Sequence, residues 1–223
     1  MARMAAIPLR QDVEYPSSDG QPMAESDLHR KEMVDLIEAL TRRYQDTPDV
    51  YVAGNLFLYY RQGDPRSVVA PDVFLVKGVP KEDRLTYKLW EEGCVHSLVI
   101  EVTSNSTRNE DLARKKRCYE SLGVEEYFLH DPEGDYLSPR LQGHRLAGSR
   151  YEPIRPRSDG SLESRTTGLT LTVEGLHLRL IDTVTGERLL RVSELGDKLR
   201  AAEDRARGLE EELARLRAEV DRR

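Results

Sequence analysis

The sequence predicts an α/β domain followed by a long C-terminal helix of coiled-coil type. Three observations predict it. Apolar runs of strand length, such as residues 73–76 and 97–100, stand between turn signals. Stripes of helical spacing precede and separate those runs. Near the end, Leu195, Leu199, Ala202, Ala206, Leu209, Leu213, Leu216 and Val220 repeat at alternating steps of four and three.

Residues 1–25 read as an irregular arm, with a turn-rich Pro16-Ser17-Ser18-Asp19-Gly20. Ser26 is placed to cap a helix that runs to about Tyr44, with Met33, Ile37, Leu40 and Tyr44 on its apolar face. Thr47-Pro48-Asp49 ends it. Residues 50–60 are rich in Val, Tyr, Leu and Phe, and Gln62-Gly63-Asp64-Pro65 turns the chain. Residues 67–76 return, so the two runs predict a hairpin. Residues 77–96 are polar and mixed, and hold the single tryptophan, Trp90. Residues 97–102 have the near-continuous apolar character of a buried central strand. A helix is expected over 107–122 with Gly123 as its C-cap, then a strand over 126–130 stopped by Asp131-Pro132. The order is a helix followed by β-β-β-α-β. Residues 133–168, rich in Gly, Pro, Ser and Arg, predict long turns with strand fragments such as 151–154. Residues 169–173 and 176–181 alternate as strands, and 182–186 form a turn. The organisation is an arm over 1–25, a domain over 26–190 and a coiled-coil helix over 191–223.

With Leu199, Ala206, Leu213 and Val220 at a, the g and e positions pair Lys198 with Glu203, Arg205 with Glu210 and Glu212 with Arg217 across a parallel dimer. All three pairs attract. In a symmetric antiparallel arrangement Glu203 would approach Glu210. The pattern therefore favours a parallel homodimer through residues 195–220 over a single helix packed on its own domain.

Composition bounds the rest. The chain has 223 residues, 38% apolar and 33% charged, and a net charge of −6. No apolar run reaches the roughly 20 residues that span a bilayer, and the start is too short for a secretory signal. The expectation is a cytoplasmic protein with no membrane contact. Two cysteines, Cys94 and Cys118, make no disulfide framework, and no Cys/His spacing resembles a zinc site. The acidic balance argues against bulk coating of nucleic acid. A local basic surface is still available in Arg108, Arg114, Lys115, Lys116 and Arg117, which read equally as a solvated helix face.

The chemistry concentrates between residues 71 and 132. Asp72 heads one apolar run and Glu101 closes another. Pro71-Asp72 alone does no more than start a strand. An acid inside the run around Glu101 is costly to bury unless a cation or proton compensates it. On neighbouring strands the two carboxylates would share one divalent metal, with the Val102 carbonyl as a third oxygen ligand. Magnesium suits such a set, and manganese is an alternative. A metal held this way points to phosphodiester hydrolysis. On the following helix Lys115 falls inside the stripe of Leu112, Tyr119 and Leu122. It either reaches the metal site, to hold the attacking water or offset phosphate charge, or snorkels and pairs with Asp111.

These residues resemble the Uma2 family, a bacterial branch of the PD-(D/E)XK nuclease superfamily. The matching strings are Pro71-Asp72-Val73-Phe74-Leu75-Val76, Leu98-Val99-Ile100-Glu101-Val102-Thr103-Ser104, Ser106-Thr107-Arg108, Asp111, Lys115, Tyr119, Leu122-Gly123-Val124, Glu126-Tyr127 and Asp131-Pro132. His29 and the start from Tyr15 to Met23 also match, so the likeness covers residues 15 to about 181. The resemblance implies a restriction-endonuclease-like core, a mixed central sheet flanked by helices. It also implies magnesium-dependent cleavage of DNA, with Asp72 and Glu101 as metal ligands. The superfamily lysine normally stands two residues after the acid. That position here is Thr103, and Uma2-like sequences carry a lysine on the next helix, matching Lys115. His29, Thr103 and Asp111 are candidates for the surrounding shell, and His29 fits equally a histidine satisfied within the core.

Two other readings stand beside the DNA endonuclease. One is a nuclease fold without turnover, recruiting partners through its coiled coil. The other is a metal-dependent hydrolase of RNA or nucleotides. No module for reading DNA sequence is visible.

Overall fold

The computed structural model describes residues 13–18, 20, 26–103, 110–220 and 222, without the side chains of 110–112. The first helix is α1 (Asp27–Arg43), and Ser26 caps it by accepting the His29 N–H at 3.1 Å. The predicted hairpin is present but broken into two tiers. β1 (Val50–Ala53) pairs antiparallel with β4 (Val73–Lys77), while β2 (Leu58–Tyr59) pairs antiparallel with β3 (Val68–Val69). The break falls at Gly54 and Asn55. Asn55 adopts φ +52° and donates its N–H to the Pro71 carbonyl at 2.8 Å. β2 turns away to pair in parallel with β5 (Tyr87–Lys88), forming a small sheet in the order β3-β2-β5.

After the short α2 (Leu89–Glu92) comes β6 (Leu98–Val102), buried along its whole length. The expected helix over 107–122 differs at its start. Residues 107–109 lie outside the described residues, Glu110–Lys115 form a π-helical turn, and only α3 (Lys116–Leu122) is α-helical. Gly123 ends it at φ +84°, as predicted. β7 (Glu126–His130) then runs parallel to β6.

Residues 133–168 hold more strand than expected. β8 (Leu141–Ala147) pairs antiparallel with β7, and β9 (Arg150–Pro153) pairs with β8. A second sheet is built from β10 (Leu162–Ser164), β11 (Leu169–Glu174) and β12 (His177–Asp182). The main sheet is six-stranded and mixed, in the order β1-β4-β6-β7-β8-β9.

Period-two alternation divides the core. Val73, Leu75, Leu98, Ile100, Val102 and Phe128 face α1 and the second sheet. Phe74, Val76, Val99, Tyr127 and Leu129 face Tyr119 of α3 and the small sheet. The last helix, α4 (Val192–Val220), is fixed at its root. Arg179 pairs with Glu194 at 2.7 Å, and Arg191 reaches Asp35 and Glu32. No residue of α4 is buried, and Leu199, Leu209, Leu213, Leu216 and Val220 are exposed. Among the described residues no helix is long and apolar enough to cross a membrane.

Candidate active site

The acids meet where β4 begins and β6 ends. Register pairs Val73 with Ile100, so one more residue sets Asp72 opposite Glu101. The Asp72 N–H donates to Glu101 Oε2 at 3.3 Å. The Val102 N–H donates to Asp72 Oδ2 at 2.8 Å, and His29 Nε2 lies 3.1 Å from the same oxygen. His29 stands in the first turn of α1, which Ser26 caps, and its contact with Asp72 brings that turn to this corner of the sheet.

Glu101 is fully buried, and a buried carboxylate needs a partner. Lys115 Nζ donates to Glu101 Oε2 at 2.9 Å, and the Tyr119 hydroxyl donates to Oε1 at 2.7 Å. The two donors stand one helical turn apart, so they share a face. Lys115 is the last residue of the π-helical turn, a feature found often at functional sites. Burial and the neighbouring Glu101 charge push the Tyr119 hydroxyl well above the ordinary tyrosine range, which keeps it a proton donor. Asp72 titrates below the ordinary range. Burial opposes this, but the His29 contact, the Lys115 charge and the Val102 N–H outweigh it, so the carboxylate stays ionised.

The predicted residues therefore separate. Asp72, Glu101, Lys115, the Val102 backbone and His29 converge. Thr103 does not: its hydroxyl donates to the His130 carbonyl at 2.9 Å, tying β6 to β7 rather than touching the acids. The Asp111 side chain lies outside the described residues, and so does the alternative pairing it would make. The predicted basic surface is also smaller. Arg108 is outside the described residues, Lys115 points inward and Lys116 Nζ lies 2.8 Å from His144 Nε2, leaving Arg114 and Arg117 exposed.

Two contributors escaped the sequence reading. Tyr119 passes for an apolar stripe residue, although a tyrosine facing a core calls for a hydroxyl partner. Gly54 lies so close to the Asp72 carbonyl that an added Cβ would stand 2.0 Å from its oxygen. Two other acids of the quoted strings are architectural. Asp131 accepts the N–H groups of Gly134, Tyr136 and Leu137, and Glu126 accepts Ser164 Oγ, the Arg165 N–H and Arg145.

The donor chemistry fits a hard divalent cation. Asp72 Oδ1 makes no hydrogen bond among the described residues, and the side chain keeps 14% of its surface open. Among those residues no group of three or more His, Cys, Asp or Glu gathers into a cage. Two carboxylates make an oxygen donor set, the kind that hard divalent cations take.

Comparison with known proteins bears on the same segment. The family model of Uma2, described as "Putative restriction endonuclease", matches residues 2–176. No protein of curated function matches significantly. One solved structure that matches is that of "a putative nuclease belonging to DUF820 from Anabaena variabilis ATCC 29413", at 13% identity and a TM-score of 0.49, over 68% of this chain and 81% of that one. The family match spans α1, the whole main sheet and the acid pair, and on that match the chain belongs to the Uma2 family, with its restriction-endonuclease-like fold.

Proposed function

We propose that this protein is a divalent-metal-dependent endonuclease that hydrolyses DNA phosphodiester bonds. The observation that carries the reading is Lys115 Nζ at 2.9 Å from Glu101 Oε2, with Asp72 facing the same carboxylate. Asp72, Glu101 and the Val102 carbonyl would hold magnesium or manganese. In a strand the N–H and C=O of one residue point to the same side, so the carbonyl of Val102 is directed with its N–H toward Asp72. The ion would supply Lewis-acid stabilisation of charge developing on the phosphate. Lys115 would hold the attacking water or offset that charge. His29 orients Asp72, and Tyr119 fixes the second oxygen of Glu101.

Nicking of supercoiled DNA and cutting of single-stranded DNA, with magnesium or manganese, test this reading. Cleavage should require the metal and vanish in Asp72→Asn and Glu101→Gln. A folded, metal-supplied protein that cuts RNA alone would reassign the substrate. One that binds DNA and cuts nothing would favour the recruiting module instead.

Tyr119→Phe removes one hydrogen bond and leaves the ring. It should cost about 10- to 100-fold in metal affinity or activity, the usual range for a residue that orients a ligand. A metal titration of the cleavage rate reads this directly, and an unchanged titration would reduce Tyr119 to a packing residue.

We also propose that α4 forms a parallel coiled coil with a second copy, which would bring two sites to one duplex. The support is its bare apolar stripe and the three attractive g–e pairs. Sedimentation velocity should find a dimer that Leu213→Asp with Leu216→Asp converts to a monomer. Equal sedimentation of both proteins would refute the dimer.

A further inference from the structure

A cavity of about 390 Å³ is lined in part by chain neighbours of the acid pair and its lysine. Phe57, Pro65, Val68 and Ala70 give it apolar walls, and Arg66 and Arg114 are its charged members. No carboxylate lines it among the described residues. Two of its wall residues are chain neighbours of the site. Ala70 lies two residues before Asp72, so their Cα atoms are at most about 7 Å apart. Arg114 directly precedes Lys115, about 3.8 Å away between Cα atoms.

The aromatic wall is held in place. The Tyr59 hydroxyl donates to the Pro16 carbonyl at 2.6 Å, and the Phe57 ring packs edge-on against Tyr59 with centroids 6.2 Å apart. Half-buried Phe57 keeps part of its surface toward solvent. Arg66 is braced by Asp64 at 3.0 Å, yet its side chain is 91% exposed.

The chemistry of a nucleotide matches these walls. Its base has flat faces that stack on aromatic and aliphatic side chains, and its phosphate is an anion for a guanidinium. Ala70 and Arg114 keep the cavity wall within one or two residues of Asp72 and Lys115 along the chain, so a nucleotide next to the cut falls within its reach. A base inside a duplex is shut away by stacking, and only unpaired or distorted DNA presents it without that cost.

We propose that the cavity lined by Phe57, Arg66 and Arg114 receives an unstacked nucleobase adjacent to the phosphodiester being cut, making DNA with single-stranded or distorted stretches the substrate class. The proposal rests on the nuclease reading and names the substrate of that site.

Binding is measured without cleavage, with the native protein in EDTA and single-stranded oligonucleotides carrying an abasic residue at one position after another. At one position the missing base should weaken native binding about tenfold, as expected for loss of one stacked base. Phe57→Ala should bind the intact strand more weakly and be indifferent to the abasic residue at that position. Arg66→Ala alters only an exposed side chain. It should weaken binding and flatten the salt dependence while keeping the abasic effect. Equal abasic penalties in native protein and Phe57→Ala, or a preference for intact duplex, would overturn the proposal. Metal-dependent cutting by the native protein is scored separately, so failure of the nuclease reading is distinguishable from failure of the base pocket.

Discussion

Lys115→Met should destabilise the protein by about 3–5 kcal/mol and lower cleavage by about 10²–10³-fold. The first effect follows from Glu101, which has no exposed surface and would lose its cation. Removing one member of a buried pair strands the other charge, which costs far more than the pair contributes. The second follows from place, since the ammonium group lies on the oxygen that faces the Asp72 N–H. The two effects come apart in the double variant Lys115→Met with Glu101→Gln. With neither charge present, most of the lost stability should return and none of the cleavage. Urea unfolding midpoints and plasmid nicking measure the two quantities. Near-native cutting by a folded Lys115→Met protein would leave the lysine a purely structural counter-ion.

Gly54→Ala should act on the same site from the far side of the sheet edge. The obstacle is space: the new Cβ would meet the Asp72 carbonyl oxygen at 2.0 Å and Ile37 Cδ1 at 2.6 Å. Ile37 can rotate. The carbonyl belongs to the backbone and must move, carrying Asp72 with it. Overpacking of this kind costs about 1–3 kcal/mol, and misplacing a reacting group by about 1 Å costs on the order of 10²-fold in rate. Thermal unfolding with cleavage kinetics should therefore show a modest loss of stability and a large loss of rate. Unchanged kinetics would mean that the β1–β4 corner yields without moving the acid.

The parts of this site that the sequence made legible are those whose signal is local. β7 matches its expected span, because the apolar Tyr127, Phe128 and Leu129 stand between Gly123 and the Asp131-Pro132 stop. The facing of Asp72 and Glu101 was legible in two apolar runs, one headed by an acid and one closed by an acid, which meet when the strands pair antiparallel. Lys115 was legible as a charge on a core-facing stripe, but whether Asp111 or Glu101 would meet it depended on how α3 packs on the sheet.

What stayed hidden depends on non-local contact. β8 contains Gly143, a poor strand residue, which is required there because a Cβ would stand 2.8 Å from the Phe128 ring. The same kind of close approach explains Gly54. Thr103 follows the acid at the superfamily's lysine spacing, yet the strand end turns its hydroxyl to His130. The π-helical turn has no composition of its own.

The bare helix α4 gives the molecule two unlike kinds of cohesion. Every apolar residue buried in the described structure precedes it, so the folding equilibrium of the preceding domain is unimolecular and indifferent to dilution. A helix of 29 residues that buries nothing draws no stability from tertiary packing, which supplies most of the stability of helices in proteins. In the coiled coil proposed above, added stability would come by mass action with a second chain. At low abundance the tail would melt while the sheet and its acid pair remain folded, so copy number, rather than temperature, would govern whether two sites act together.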